Sequence, residues 1–409
     1  MTTTRHRLCF ILIIAFAFGL AAAQDLPNGA KPGAGNTQSP AKPAPPDGNI
    51  SVPAPAAPAQ SAETVAWSFA VSGDSRNCGN VIMPAIAAGA RKDNAAFYWH
   101  LGDLRATVFV DEDYLHEPEH RKSPADKTFY DKTEWDDFIQ AQLNSFGSMP
   151  VFVGIGNHET YSPKSREQFI IQFADWLDSP VLRQQRLADN PNDHALKSFF
   201  HWIKDGVDFI YLDNSTKDQF DDYQIGWFEG VLKRAAADDT VKAVVVGMHA
   251  ALPDSLAAGH SMSDTQLGSQ SGRQIYTDLL DFIQQTRKHV YVLSSHSHFY
   301  MSGIFDSDYW REHGGVLPGW IVGTAGAMRY ALPPTAARAK EARQKIYGYL
   351  RGDVHADGTI EFVFQEIKRE DIPESVTQRY TPEFVDVCFD KNTDFRAYPA
   401  PEPHPESYE

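Results

Sequence analysis

Short apolar runs rise out of an otherwise polar chain at Ser68 to Val71, Phe97 to Leu101, Val151 to Ile155, Val244 to Val246 and Val290 to Leu293. Each is rich in β-branched or aromatic residues and too short for a buried helix, so each predicts a buried strand. Between them, apolar residues recur at three-to-four spacing: Trp135, Phe138, Ile139 and Phe146; Trp227, Phe228, Val231 and Leu232; Ile275, Leu279, Phe282 and Ile283. That spacing predicts amphipathic helices whose stripes pack in a core. From Tyr347 to Ile367 two strand-like runs flank Asp357-Gly358, a hairpin signal. No internal repeat is present.

Directly after each strand comes a polar motif: Gly73-Asp74-Ser75-Arg76, Gly102-Asp103, Gly156-Asn157-His158-Glu159, Gly247-Met248-His249 and Ser295-His296-Ser297-His298. Ligands of open α/β sheets gather outside the carboxyl ends of strands, so these pieces are expected to meet in one crevice. Their chemistry suits a pair of divalent cations, which can grip the attacking and leaving oxygens of an in-line phosphoryl displacement. A carboxylate such as Asp103 can bridge two cations. Neutral imidazoles and a carboxamide oxygen suit Mn, Fe, Zn or Ni, whereas an all-oxygen set would suit Mg or Ca.

From about Ala66 to about Ile367, these motifs and their order resemble the calcineurin-like metallophosphoesterase superfamily, which includes purple acid phosphatases. The pattern is Gly-Asp-x-His, Gly-Asp, Gly-Asn-His-Asp/Glu, a His after a strand, and Gly-His-x-His. The resemblance implies a four-layer α/β sandwich of two mixed β-sheets flanked by α-helices. It implies Asp74 and His298 as ligands of a first metal, Asp103 as the bridge, and Asn157, His249 and His296 as ligands of a second. His158 would then orient the phosphate or act as general acid. The segment from Ser198 to Asp213 is similar to a strand pair that links motifs in this family.

Two positions depart from the pattern. Arg76 stands where the first-motif His is usual, and a guanidinium cannot ligate a metal. It is expected either to face a substrate phosphate or to form a salt bridge with Asp74 or another acidic neighbour. Ser295 replaces the last glycine. Asn77 and Arg105 join Arg76 as candidate substrate contacts, with Tyr300 and Arg329 also near motif positions. Glu159 is either a brace on a neighbouring group or an exposed loop carboxylate. His100 reads as a packed, hydrogen-bonded residue, and His116, His120, His194, His201, His260, His313, His355 and His404 have no supporting motif. Leu104-Arg105-Ala106-Thr107 offers no tyrosinate iron ligand after the bridging Asp. No Gly-x-Ser-x-Gly elbow supports a Ser-His-Asp hydrolase.

At the start of the chain, Arg5 and Arg7 precede an apolar run closed by Ala21-Ala22-Ala23, which predicts a signal peptide over 1–23 and a secreted or periplasmic protein with no membrane span after its removal. Residues 24–63, dominated by Pro, Ala, Gly and Ser, predict a flexible linker. The catalytic domain is expected over 64–370 and a Pro-rich tail, wrapping or dangling, over 371–409. In an oxidising compartment Cys78 and Cys388 are candidates for a disulfide, the alternative being two unpaired thiols. The charged stretch from Val110 to Asp137 reads as a solvated loop or a substrate lid. A net charge of −16 disfavours nucleic acid as a partner but not a small phosphorylated substrate, because cations reverse the field locally. The expected function is hydrolysis of a phosphate mono- or diester by metal-bound hydroxide. The alternative is a non-catalytic or single-metal binding protein on the same fold, because of Arg76.

Overall fold

The computed structural model describes residues 64–123 and 126–394. The expected signal peptide, the linker and the end of the tail lie outside the described residues.

The strands, in chain order, are β1 Val65–Ser72, β2 Ala95–His100, β3 Val151–Val153, β4 Phe200–Lys204, β5 Val207–Leu212, β6 Ala243–Met248 and β7 His289–Ser294. They continue with β8 Tyr300–Ser302, β9 Gly319–Val322, β10 Arg329–Tyr330, β11 Glu341–Arg343, β12 Tyr347–His355, β13 Ile360–Ile367 and β14 Thr393–Asp394. One sheet has the order β13-β12-β1-β2-β3 and the other β11-β8-β9-β7-β6-β5-β4, with a small β10-β14 pair beside them. Both large sheets are mixed: β1, β2 and β3 run parallel while β12 is antiparallel to β1, and β5, β6, β7 and β9 run parallel while β4 and β8 are antiparallel to their neighbours. The hairpin expected at Asp357-Gly358 joins β12 to β13.

Strand alternation decides the layering, since successive side chains point to opposite faces. Phe69, Val71, Phe97 and Trp99 of one sheet meet Trp202, Phe209, Tyr211 and Val245 of the other in an aromatic core between the sheets. The alternate residues face outward yet are also buried, as parallel strands covered on both sides require. Ala70 and Tyr98 pack under helix Gly79–Lys92. Ile210, Leu212, Val244 and Val246 pack under helices Asp222–Ala237 and Gln266–Thr286, through the Phe228, Val231, Ile275 and Leu279 stripes. The result is the expected four-layer sandwich.

One expectation changes and one open alternative is decided. The stretch from Val110 to Asp137 is not a solvated loop: it contains helices Glu112–Leu115, Pro118–Lys122 and Lys127–Asp137, and its Asp111, Asp113 and Glu134 are fully buried. Burial is tolerated because Arg105 pairs with Asp111 and Asp113, and Lys164 with Glu134. Of the tail expected after 370, residues 372–394 wrap onto the domain, the first of the two alternatives. Helices Glu374–Tyr380 and Pro382–Asp390 seat Tyr380, Phe384, Val385 and Cys388 against helix Gly79–Lys92, and Cys388 forms a disulfide with Cys78. Among the described residues no helix is long and apolar enough to cross a membrane.

Candidate metal centre

The carboxyl ends of β1, β2, β3, β6 and β7 open on one side, and the turn after each carries a motif residue inward. Asp74, Asp103 and His296 take positive φ values of 61°, 59° and 64°. That backbone region is uncommon for residues with a Cβ and clusters at functional sites, where the surroundings hold it in place. Glycine is required where these turns touch. A Cβ on Gly156 would collide with Asp103 Oδ1, and one on Gly323 would lie 2.7 Å from Asp74 Oδ2.

Two buried groups of potential ligands result, Asp103 with His249 and His296, and Asp74 with Asp103 and His298. In the first, His249 Nε2 lies 2.9 Å from Asn157 Oδ1, 3.0 Å from His296 Nδ1 and 3.2 Å from Asp103 Oδ1. Metal–nitrogen bonds of about 2.1 Å set at right angles place two ligand atoms about 3.0 Å apart, so these atoms fit around one borderline cation. The tautomer fits as well. His249 Nδ1 lies 3.0 Å from Leu101 O and 3.1 Å from Ser295 Oγ, so an Nδ1–H donated to that carbonyl leaves the Nε2 lone pair facing the cluster.

The second group is arranged differently. His298 Nε2 is 3.2 Å from Asp74 Oδ1, but it is also 3.0 Å from Arg76 Nη2. Arg76 Nε lies 3.7 Å from Asp103 Oδ2, and its Nη1 contacts His158 Nε2 closely. Arg76 thus pairs with Asp103, an acidic neighbour other than Asp74. His158 Nδ1 is 2.5 Å from Ala106 O, which requires an Nδ1–H donor. His158 can therefore give up an Nε2 proton only when doubly protonated.

Electrostatics follow from burial and these contacts. Burial opposes ionisation of Asp103, yet His249, His158 and Arg76 outweigh it and hold the carboxyl well below its usual range. Burial likewise opposes ionisation of Asp74, and His298 and His249 keep it lowered. His249 resists protonation through burial but is pushed up to about 9 by Asp103. Burial and the neighbouring His249 and His260 hold His296 well below its normal value.

Around this cluster stand residues whose roles the sequence left open. Glu159 is fully buried and accepts from the backbone N–H groups of Asp103, Leu104 and Gly156 at 2.9, 2.9 and 2.7 Å, so it braces two motif loops. His100 is the packed residue expected, with Nε2 3.0 Å from Ser75 Oγ. Arg105 is not at the cluster. It is fully buried against Asp111, Asp113 and Asp137 at 3.0, 3.1 and 3.0 Å, and its charge is needed there to offset three carboxylates. Asn77 is tied on the same side, its backbone N–H 2.6 Å from Asp111 Oδ1. Arg329 bonds to the carbonyls of Asn392, Lys345 and Phe389, anchoring the C-terminal helices. Tyr300 stacks on Phe364 with ring centres 4.4 Å apart, between the sheets.

Three further residues belong to the site's wall. Tyr161 Oη accepts from Asn157 Nδ2 at 2.6 Å, and its ring lies 5.0 Å from that of His158. Tyr330 stacks on His298 at 4.0 Å, and the His260 ring lies 5.1 Å from His296. Spacing from Asn157 could have flagged Tyr161. His260 and Tyr330 follow no motif and reach the site only through tertiary contacts.

The family model for calcineurin-like phosphoesterases matches residues 69–300. No curated protein matches the chain. Among solved structures, a purple acid phosphatase, PPD1, isolated from yellow lupin (Lupinus luteus) seeds is 15% identical with a TM-score of 0.48, the match covering 75% of this chain and 54% of that one. PhoD is 14% identical with a TM-score of 0.45, over 75% of this chain and 72% of that one. The chain thus spans about half the length of the lupin protein. With more than half of its residues matched in the motif order described, the chain belongs to the calcineurin-like phosphoesterase family.

Proposed function

We propose that the protein is a secreted or periplasmic phosphoesterase that hydrolyses a phosphate mono- or diester of a small molecule at a centre of divalent transition-metal ions. The observation that carries this reading is the convergence of Asp103, Asn157, His249 and His296, with donor atoms 2.9 to 3.2 Å from His249 Nε2, at the ends of β2, β3, β6 and β7. The mixed nitrogen and oxygen donors suit Mn, Fe, Zn or Ni. When bound, such ions neutralise phosphate charge and make a water acidic enough to attack near neutral pH.

The chain's own groups do the rest. Asp103 belongs to both ligand groups, its Oδ1 3.2 Å from His249 Nε2 and its Oδ2 towards Arg76, which supports it as the central carboxylate of the site. Glu159 holds the Asp103 and Asn157 loops in register. Arg76 and His158 sit beside Asp103 and would face the phosphate, His158 serving to orient it or, when doubly protonated, to protonate the leaving oxygen. The Cys78–Cys388 disulfide supports an oxidising compartment, in keeping with the leader read over 1–23. A second reading, a non-catalytic or single-metal protein on this fold, is favoured by Arg76 alone.

Metal analysis of the mature protein, with assays on p-nitrophenyl phosphate and bis(p-nitrophenyl) phosphate, tests the proposal. We expect bound transition metal and turnover of at least one ester, both lost in Asp103→Asn. A folded protein inert towards both esters in added Mn, Fe, Zn and Ni would overturn it.

A further inference from the structure

The ligand group made by Asp74, Asp103 and His298 does not fit a second cation well, because a permanent positive charge is already built into it. Arg76 is only 5% exposed. Its guanidinium touches two of the three residues that a first cation would need, His298 and Asp103, and His158 beside them. Nη2 is 3.0 Å from His298 Nε2, Nε is 3.7 Å from Asp103 Oδ2, and Nη1 reaches His158. The His298 tautomer makes the conflict specific. Its Nδ1 lies 2.6 Å from Met328 O, a contact that requires Nδ1–H, so a neutral ring keeps its single lone pair on Nε2. That lone pair is the one Arg76 Nη2 meets.

Arg76 cannot relieve the conflict by losing its proton, since a guanidinium stays charged at every accessible pH. A divalent ion on the same atoms would also sit against that charge among buried side chains, where repulsion is poorly screened. The other group carries no such obstacle. Around His249 Nε2 the neighbours are lone-pair donors: Asn157 Oδ1, His296 Nδ1 and Asp103 Oδ1.

We propose that Arg76 takes the place of the first cation, so that the protein binds one divalent ion, held by Asp103, Asn157, His249 and His296, and works with Arg76 as the fixed partner charge. The proposal rests on the metal-dependent reading of the function and narrows it. Asp74 becomes a brace, its Oδ2 accepting from His296 N at 2.8 Å. The phosphate would meet a cation on one side and a planar two-donor fork on the other, a geometry that suits phosphate oxygens.

The test is stoichiometry. Mature protein with its disulfide intact is titrated with Mn2+ by calorimetry, and bound metal is counted after desalting. Wild type is expected to bind one equivalent, with the electron paramagnetic resonance spectrum of an isolated Mn2+. Arg76→His restores the imidazole of the Gly-Asp-x-His pattern and is expected to bind two equivalents with spin-coupled signals. Arg76→Ala, which removes the charge without adding a ligand, is expected to keep the tight equivalent while kcat falls at least tenfold. Two coupled ions in wild type, or a folded Arg76→His protein that still binds one, overturns the proposal. In the first case turnover would leave the phosphoesterase reading standing. Wild-type protein that binds no divalent ion and turns over no ester sinks both.

Discussion

Replacing Glu159 with glutamine keeps its shape and tests whether the motif loops are held by backbone hydrogen bonds. Oε1 accepts from Leu104 N, and Oε2 accepts from both Asp103 N and Gly156 N. In Glu159→Gln one end becomes an NH2 that only donates. Whichever way the carboxamide turns, at least one backbone N–H faces another donor at a fully buried position. The better orientation orphans Leu104 N–H alone, at a cost of about 1–3 kcal/mol. A protonated Glu159 does not suffer this loss, because its hydroxyl oxygen keeps a lone pair. Burial and the neighbouring Asp103 push the Glu159 carboxyl up to about 8, from 4.5. A raised carboxyl weakens the folded state as pH rises from 4.5 through about 8, and glutamine is spared that cost. The variant should therefore unfold about 1–3 kcal/mol below wild type at pH 5, with the gap closing towards pH 8. Urea melts of metal-free protein at both pH values measure it. Because Glu159 positions Asp103 and Asn157, Mn2+ affinity should also fall roughly 10–100-fold. A loss under about 0.5 kcal/mol, typical of an uninvolved surface site, or a gap that widens with pH, would refute the reasoning.

The Cys78–Cys388 bridge spans 310 positions, and the loop-entropy model gives a crosslink of that length about 6 kcal/mol. Cys388→Ser should lower the melting temperature and expose the C-terminal helices to protease, while equal melts with and without dithiothreitol would contradict this. Burial opposes protonation of His201, yet Asp208 and Asp189 push it up to about 9 from 6.5. Its contribution of up to about 3 kcal/mol is present below pH 6.5 and lost as pH rises through 9, less what burial takes back by raising Asp208. His201→Gln should erase that pH dependence, and parallel stability curves between pH 6 and 10 would argue against it. Asp74, Asp103, Arg76 and one divalent ion together leave a single net positive charge, which matches a diester monoanion better than a monoester dianion. Wild type should accordingly show the higher kcat/KM on bis(p-nitrophenyl) phosphate, and a tenfold preference for the monoester would oppose the charge count. Tyr161→Phe removes the acceptor of Asn157 Nδ2 and should weaken Mn2+ binding at least tenfold without moving the melting temperature by more than a few degrees; unchanged affinity would free Tyr161 of any positioning role.

Strands and their faces were readable along the chain because burial on both sides of a parallel strand demands apolar residues whatever the neighbours are. Phe97-Tyr98-Trp99 needs no partner to announce that it is inside. The motif residues were readable for a related reason: Asp74, Asp103, Asn157, His249 and His296 each follow such a strand, and strand ends in this architecture share one side. Charge partners were not readable. Asp111, Asp113 and Asp137 look like residues of a solvated loop until Arg105, from the turn after β2, is seen among them. Nor does anything near His260 foretell its place beside His296.

Local pattern was therefore enough for the buried strands and for the polar residues that follow them, while the four layers and the ligand roles came as what the family resemblance implies. Three-dimensional packing settled which charges pair, which carboxylate braces which loop, and what Arg76 touches. Ion pairs and hydrogen bonds act over a few ångströms between groups tens or hundreds of positions apart. No spacing rule along the chain records them.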